Sequence, residues 1–249
     1  DGTIINQTRY CENADSTHHP SQTAYALAID FNLMPEETMA QTTHYFVESI
    51  HRRDNHLSVG FLGISHLLPA LTKCGQNELA FALLEQKGNP GWLYSVINGA
   101  TTIWERWNSY IAETGTFGDV SMNSFNHYAY GSIGQWLYRT VLGIQTGENT
   151  DEAGYHKIFL TPSWGGTLTY AKGEQETPFG KITSSWEKKE NSIVYHCTIP
   201  ANTTAHLSLP SSCHSSVQIL EGAAITDTAA VSGVADFELV SGSYTFKIC

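Results

Sequence analysis

The sequence predicts a two-part α + β chain, helical hairpins followed by an antiparallel β-sandwich, and three observations carry that prediction. Apolar residues recur at intervals of three and four from Pro20 to Gly143; after Tyr155 they alternate with polar residues in short runs; and the turn residues between those runs are spaced as in a sandwich. With 249 residues, 41% hydrophobic and 11% aromatic, the chain has apolar surface for one large core or two ordinary ones.

The helices are justified in order. Tyr25, Ala28 and Ile29 in SQTAYALAIDFNLM form one stripe, and Tyr45, Phe46, Val47 and Ile50 form a second after the Pro-Glu-Glu start at Pro35. GISHLLPALTKCG and NELAFALLEQKG give two more, with Pro69 either kinking the first of these or marking its first turn. A further helix is expected after Ala100 and another in FNHYAYGSIGQWLYRTVLG. Most of these segments close at Gly or restart at Pro, Asn or Thr, which makes about six helices joined as antiparallel hairpins.

GIQTGENTDEAG breaks the pattern, so helices are expected in 1–150 and strands in 151–249. KIFLTP, TLTYAKG, GKITSSWEKKE, NSIVYHCTIP, TAHLSLP, SVQILEG and ADFELVSGSYTFKI are the strand runs, each bounded by turn residues.

Composition narrows the partners. Thirteen Lys and Arg against 24 Asp and Glu give a net charge of -11, a field that repels polyanions, so no nucleic-acid partner is expected. No run approaches the ~18 apolar residues of a membrane span, and no membrane partner is expected either. The five cysteines, Cys11, Cys74, Cys197, Cys213 and Cys249, are irregularly spaced without a C-x-x-C pair and read as buried or incidental thiols. Asn6-Gln7-Thr8 and Asn202-Thr203-Thr204 fit the glycosylation pattern, a short motif that leaves the compartment open.

Two clusters bear chemistry. In GATTIWERWNS, Thr102-Ile103-Trp104-Glu105 matches a capping box, so Glu105 reads as a structural cap. The same place in a first helical turn also favours an ionised carboxylate suited to a general base. Trp104 and Trp107 then share a helix face, as core residues or as platforms for the C–H faces of a sugar. In MNSFNHYAYG, a cap at Asn123 or Ser124 puts Asn126, His127 and Tyr128 in the next first turn, and a long returning loop, Tyr110 to Val120, brings His127 near Glu105. His127 reads equally well as a histidine hydrogen-bonded inside a bundle. A metal set is not legible: His18-His19 are adjacent and His51 and His56 lie five apart, neither giving the i, i+4 face of a helical zinc site.

GATTIWERW followed by MNSFNHYAYGSIGQWLYRTVLGI resembles the signature of the α-L-rhamnosidases of glycoside hydrolase family 78. HLSVGFLGISHLLPALTKCGQNELAFALLEQKGNPGWLY upstream and TPFGKITSSWEKK, IPANTTAHLSLP and SGSYTF downstream fall in that family's order. The resemblance implies part of an (α/α)6 toroid followed by a C-terminal β-sandwich, and inverting hydrolysis of terminal α-L-rhamnosyl groups without metal or organic cofactor. It implies Glu105 as general base, His127 as a sugar contact, and Trp92, Trp104 and Trp107 as lining of the same pocket. Val59, Ile64 and Gly91 depart from the family's usual Thr, Thr and Ser, which touches substrate preference more than reaction class.

An inverting glycosidase needs two carboxyl groups about 6.5–9.5 Å apart. The family's acid lies near a D-E-R-x-G-W pattern, and nothing in residues 1–90 resembles it; Glu12, Asp54, Glu113 and Asp119 sit in no matching motif. Half a toroid's helices and no acid together imply the C-terminal part of a longer enzyme, whose partners are its own N-terminal portion and a rhamnosyl glycoside. Two alternatives stay beside this: a non-catalytic carbohydrate-binding protein, and a six-hairpin hydrolase acting on another sugar.

Overall fold

The computed structural model describes residues 21–147, 149–211, 217–222, 225–227 and 233–249. Asn6, Cys11, Glu12, His18, His19 and Cys213 lie outside the described residues. The chain divides into two compact units, Asp1–Gly134 and Gln135–Cys249, a division ahead of the 150/151 boundary expected from the change of period.

The first unit is helical: α1 (Gln22–Asp30), α2 (Glu36–His51), α3 (Phe61–Lys73), α4 (Asn77–Leu84) and α5 (Trp92–Ile97). The Ser21 hydroxyl caps α1 by accepting from Ala24 N, and Glu36 and Glu37 complement the positive end of α2. Pro69 stands inside α3 rather than in its first turn. The apolar stripes meet as their spacing requires, burying Tyr25, Ile29, Phe46, Ile50, Leu67, Leu68, Leu71 and Phe81. The helices α1 and α3 approach so closely that a Cβ on Gly63 would lie 2.6 Å from Thr23 Oγ1.

One buried amide ties this core to the loop after α2. Gln22 Nε2 donates to Ser49 O (3.3 Å) and His56 O (3.1 Å), while its Oε1 accepts from Ser58 N at 2.6 Å. Gln22 is 3% exposed, so these bonds replace water that the side chain has lost, and they fix the path of residues 56–60.

Two expected helices differ. None forms after Ala100. The chain leaves α5 through Gly99 at φ +85°, and residues 100–109 run as loop. The β-branched run Thr101-Thr102-Ile103 is a poor helix start, and its backbone groups pair with a distant segment instead. The segment expected as one helix over FNHYAYGSIGQWLYRTVLG is broken into a 3-10 turn (Ala129–Ser132), a short α6 (Ile133–Trp136) and a π-helical turn (Leu137–Val141).

In the second unit, β3 (Ile144–Thr146), β4 (Lys157–Leu160), β8 (Thr204–Pro210), β10 (Ile225–Asp227) and β11 (Val234–Leu239) form one sheet in the order β10-β11-β8-β4-β3. A second sheet has the order β5-β6-β7-β12-β9, from β5 (Tyr170–Thr177), β6 (Gly180–Lys189), β7 (Ser192–Ile199), β9 (Val217–Glu221) and β12 (Gly242–Ile248). Alternation puts Ile158, Leu207 and Phe237 of one sheet and Trp186, Tyr195 and Phe246 of the other in the core. The Phe237 and Phe246 rings meet there at 5.1 Å. The sheets are antiparallel apart from β4 and β8, which pair parallel because β5, β6 and β7 lie in the other sheet between them. Trp186 Nε1 donates to Val141 O (2.8 Å) and Ser184 Oγ to Leu142 O (2.6 Å), satisfying carbonyls at the end of the π turn.

Candidate functional site

The two clusters singled out from sequence lie side by side. Glu105 N donates to Ser124 O (2.8 Å), Ser124 N donates to Glu105 Oε2 (2.7 Å), and His127 N donates to Ile103 O (2.8 Å). The Thr102 hydroxyl donates to Phe125 O. Residues 102–105 and 124–127 are thus clasped through their backbones, and the clasp brings the Glu105 and His127 segments together. Glu105 does not close a capping box; its carboxylate accepts from Ser124 N–H, across the clasp. His127 likewise precedes the helical turn, which begins at Ala129, and its Nδ1 accepts from Ala129 N at 3.3 Å.

Aromatic rings from the starts of α3, α5 and the 3-10 turn pack around the clasp. His127 stacks on Phe61 (4.5 Å between centroids, 14°) and on Tyr128 (5.3 Å, 9°), and Tyr128 is 87% exposed. Trp107 stacks on Tyr130 at 3.8 Å and meets Trp92 edge-on at 5.4 Å. Both indoles are oriented by hydrogen bonds, Trp107 Nε1 to Val59 O and Trp92 Nε1 to Tyr130 O, each 2.9 Å. Trp104 meets Phe125 edge-on at 5.5 Å.

Two spaces adjoin Trp107. Trp92, Trp104, Trp107, Tyr130, Ile103 and Arg106 border one of about 20 Å³, room for roughly one water. Trp92 (7% exposed) and Trp104 (6%) are therefore packed as wall. The other is an open cavity of about 790 Å³ between Trp107 and the loop 52–60, within the size range of ligand pockets.

The charges around the clasp are arranged asymmetrically. Arg106 Nη2 lies 3.5 Å from Asp119 Oδ2. Hydrogen bonds from the Ser121 hydroxyl and N–H, with Arg106 nearby, hold Asp119 below the usual carboxylate range. Burial pushes the Tyr130 hydroxyl up to about 12, with Arg106 opposing and Glu105 adding to the rise, so it stays a proton-bearing donor at neutral pH. Of the other carboxylates without a matching motif, Glu113 accepts from Tyr94 OH at 3.3 Å and Asp54 lines the open cavity.

Sequence reasoning passed over Phe61 and Tyr130 and read Ser124 only as a candidate helix cap. Phe61 and Tyr130 stood in the quoted segments HLSVGFLGI and NHYAYG, where an aromatic next to a helix start was the available signal. Ser124 acts through its backbone, which leaves no trace in residue type. Of the cysteines, Cys197 is buried, Cys74 half-buried and Cys249 exposed, all as free thiols.

Helical hairpins followed by a β-rich unit of two sheets are an architecture shared with part of the six-hairpin glycosidases. Residues 4–141 match the family described as the bacterial alpha-L-rhamnosidase 6 hairpin glycosidase domain, and residues 143–223 match the bacterial alpha-L-rhamnosidase C-terminal domain. The chain belongs to the bacterial α-L-rhamnosidase family. It is 38% identical over 242 residues to an alpha-L-rhamnosidase of Streptomyces avermitilis, covering 97% of this chain and 23% of that protein. It is 41% identical over 199 residues to one from Formosa agariphila, covering 80% of this chain and 21% of the relative. The crystal structure of the Streptomyces avermitilis enzyme complexed with L-rhamnose superposes with a TM-score of 0.85 over 92% of this chain and 21% of that one. The rhamnosidase of Dictyoglumus thermophilum gives 0.80 at 29% identity, over 98% and 27%. The chain thus spans 23% and 21% of the length of the two relatives named first.

Proposed function

We propose that this chain is the C-terminal part of an enzyme that releases terminal α-L-rhamnose with inversion of configuration. Glu105 is the general base that activates water, and the general acid belongs to the enzyme's N-terminal portion. His127 contacts the sugar, Trp107 faces it, and Trp92 and Trp104 back the pocket wall. The unit that ends at Gly134 is the helical-hairpin portion of the catalytic domain, and the unit from Gln135 on carries the β-sandwich. The reaction needs no metal or organic cofactor, because an acid and a base suffice for glycoside hydrolysis.

The observation that carries this reading is the clasp. It holds one oxygen of Glu105 on Ser124 N–H at 2.7 Å and sets the carboxylate on the segment next to His127. A carboxylate oriented by one backbone donor is suited to taking a proton from water. Asp119 is held in the wrong direction for a proton donor, which agrees with an acid from elsewhere in the enzyme. The rhamnosidase of Streptomyces avermitilis, which matches most of this chain, was solved with L-rhamnose bound.

The test is stereochemical. Nuclear magnetic resonance of the first sugar released by the full-length enzyme should show the β anomer of rhamnose, followed by mutarotation. The α anomer appearing first would overturn inversion, and with it the role of Glu105 as base to water. In the same assay this chain alone should release no rhamnose, and mixing it with its N-terminal portion should restore turnover.

A further inference from the structure

Phe61 is out of keeping with its helix. It opens α3, whose apolar residues Leu67, Leu68 and Leu71 are buried, yet its own ring is 45% exposed and adds little to the core. What the ring does is touch two others: it stacks on His127 at 4.5 Å and meets Tyr130 at 5.7 Å and 52°. Tyr130 in turn lies flat on Trp107, 3.8 Å between centroids and 7° between planes. Phe61 and Tyr130 are thus a touching pair, one backing the imidazole and the other the indole.

The chain closes these contacts into two triangles. Phe61, His127 and Tyr130 form the first, since Tyr130 follows His127 by three residues and lies in the 3-10 turn. The second runs from Phe61 through Val59, whose carbonyl accepts from Trp107 Nε1 at 2.9 Å, to Trp107 and back over Tyr130. The contact between Phe61 and Tyr130 is the edge that the triangles share, and His127 and Trp107 are the corners on either side of it. Each ring of the pair stands on fixed backbone. Gln22 Oε1 accepts at 2.6 Å from Ser58 N, three residues before Phe61, and Tyr130 O accepts from Trp92 Nε1 at 2.9 Å. A shared edge of this kind limits how far apart its two outer corners lie, because planar rings in van der Waals contact do not compress.

We propose that Phe61 and Tyr130 are positioning residues for sugar binding, whose mutual contact holds the His127 imidazole and the Trp107 indole at the separation a rhamnose ring requires. The proposal rests on the rhamnosidase reading for the identity of the sugar, and on the ring contacts alone for the mechanics. Neither Phe61 nor Tyr130 needs to touch the sugar. Glu105 is held separately, by Ser124 N–H, so loosening the pair falls on sugar affinity and KM rather than on kcat.

The experiment uses the full-length enzyme. Phe61→Leu keeps an apolar side chain but removes the flat face, and should raise KM and the Kd for L-rhamnose about fivefold at unchanged kcat. Tyr130→Leu should do the same, whereas Tyr130→Phe, which keeps the ring, should bind rhamnose as the wild type does. Because the pair acts through one contact, the double Leu variant should raise Kd well short of the product of two independent losses, about 25-fold. A crystal structure of the Tyr130→Leu enzyme should show His127 displaced as well as Trp107, although the ring contacts of Tyr130 are with Phe61 and Trp107. A lowered melting temperature with KM and Kd unchanged would make the rings packing residues and overturn the proposal, as would Kd increases that multiply in the double variant. Should Tyr130→Leu fail to fold, since Tyr130 is 6% exposed, Phe61→Leu at its exposed ring decides by itself. If the wild-type enzyme neither binds rhamnose nor cleaves a rhamnoside, the rhamnosidase reading fails, and the place of His127 in the variant crystal still tests the ring pair.

Discussion

Replacing Glu105 by Gln separates a catalytic carboxylate from a structural one, because the two roles draw on different properties of the same oxygen. In the clasp, Glu105 Oε2 accepts from Ser124 N at 2.7 Å, and an amide oxygen accepts there too. The variant loses only the charge assistance of that bond, about 1 kcal/mol at most for a half-exposed group. As a base, however, the amide cannot take a proton from water, and general-base catalysis is worth about 10²–10⁴ in rate, or roughly 2.7–5.5 kcal/mol of barrier. Glu105→Ala adds the structural loss by leaving Ser124 N–H without its acceptor, about 1–3 kcal/mol. The assay is kcat on a rhamnoside together with thermal unfolding of the full-length enzyme, wild type beside both variants. Glu105→Gln should unfold within a few degrees of wild type and turn over at least a hundredfold more slowly, on the order given by loss of the base. A Gln variant within about tenfold of wild-type turnover, or one whose activity falls only in proportion to its folded fraction, would return Glu105 to the role of a clasp residue.

Three further outcomes follow from the geometry. His127→Ala removes the ring stacked on Phe61 and Tyr128 and should raise the Kd for rhamnose about tenfold, measured by calorimetry; a fall in melting temperature with unchanged affinity would make it a packing residue. Because Asp119 titrates below its unfolded value, the tether it makes to Ser121 and Arg106 is complete above the ordinary carboxylate range and is lost only as pH falls through its lowered pKa. Asp119→Asn should therefore loosen residues 118–124 in hydrogen exchange at neutral pH, whereas the wild type loosens only under acid. Gly91→Ser places a Cβ 2.7 Å from Gln86 O and Gly88 O, so residues 86–91 must shift, and the loss of melting temperature should correspond to about 1–3 kcal/mol. A stable Gly91→Ser protein with unaltered binding would show that the loop adapts freely.

The periodic parts of the fold were legible and the aperiodic ones were not. Helices α1 to α4 and the strands of the second unit follow from stripes and alternation that bury Tyr25, Ile29, Phe46, Trp186 and Phe246 on one side. The helix expected after Ala100 failed because Thr102-Ile103-Trp104-Glu105 satisfies a local rule, while the backbone there bonds to residues 124–127, a partner that no window of a few residues contains. α5 was passed over since WLYSVI is only six residues long. The parallel pairing of β4 with β8 depends on which strands cross to the other sheet, and alternation within a strand does not record that. For the site, residue types singled out Glu105, His127, Trp104 and Trp107, and the family resemblance added Trp92, whereas Ser124 N–H and the rings of Phe61 and Tyr130 that pack around them came only with coordinates.

The clasp between residues 102–105 and 124–127 also has an evolutionary side. Since it is sewn mainly with main-chain atoms, it works as a drawstring: it closes the neck of the intervening segment and leaves the bag below to vary. The hairpin of β1 (Tyr110–Ile111) and β2 (Thr116–Phe117), turning through Gly115 at φ +68°, hangs below that neck. Lengthening a closed loop costs little, about 0.6 kcal/mol for each doubling. Homologues are thus free to trim, extend or decorate the bag while the carboxylate and the histidine keep their spacing, and a reporter peptide inserted beside Gly115 should ride on the enzyme without dulling it.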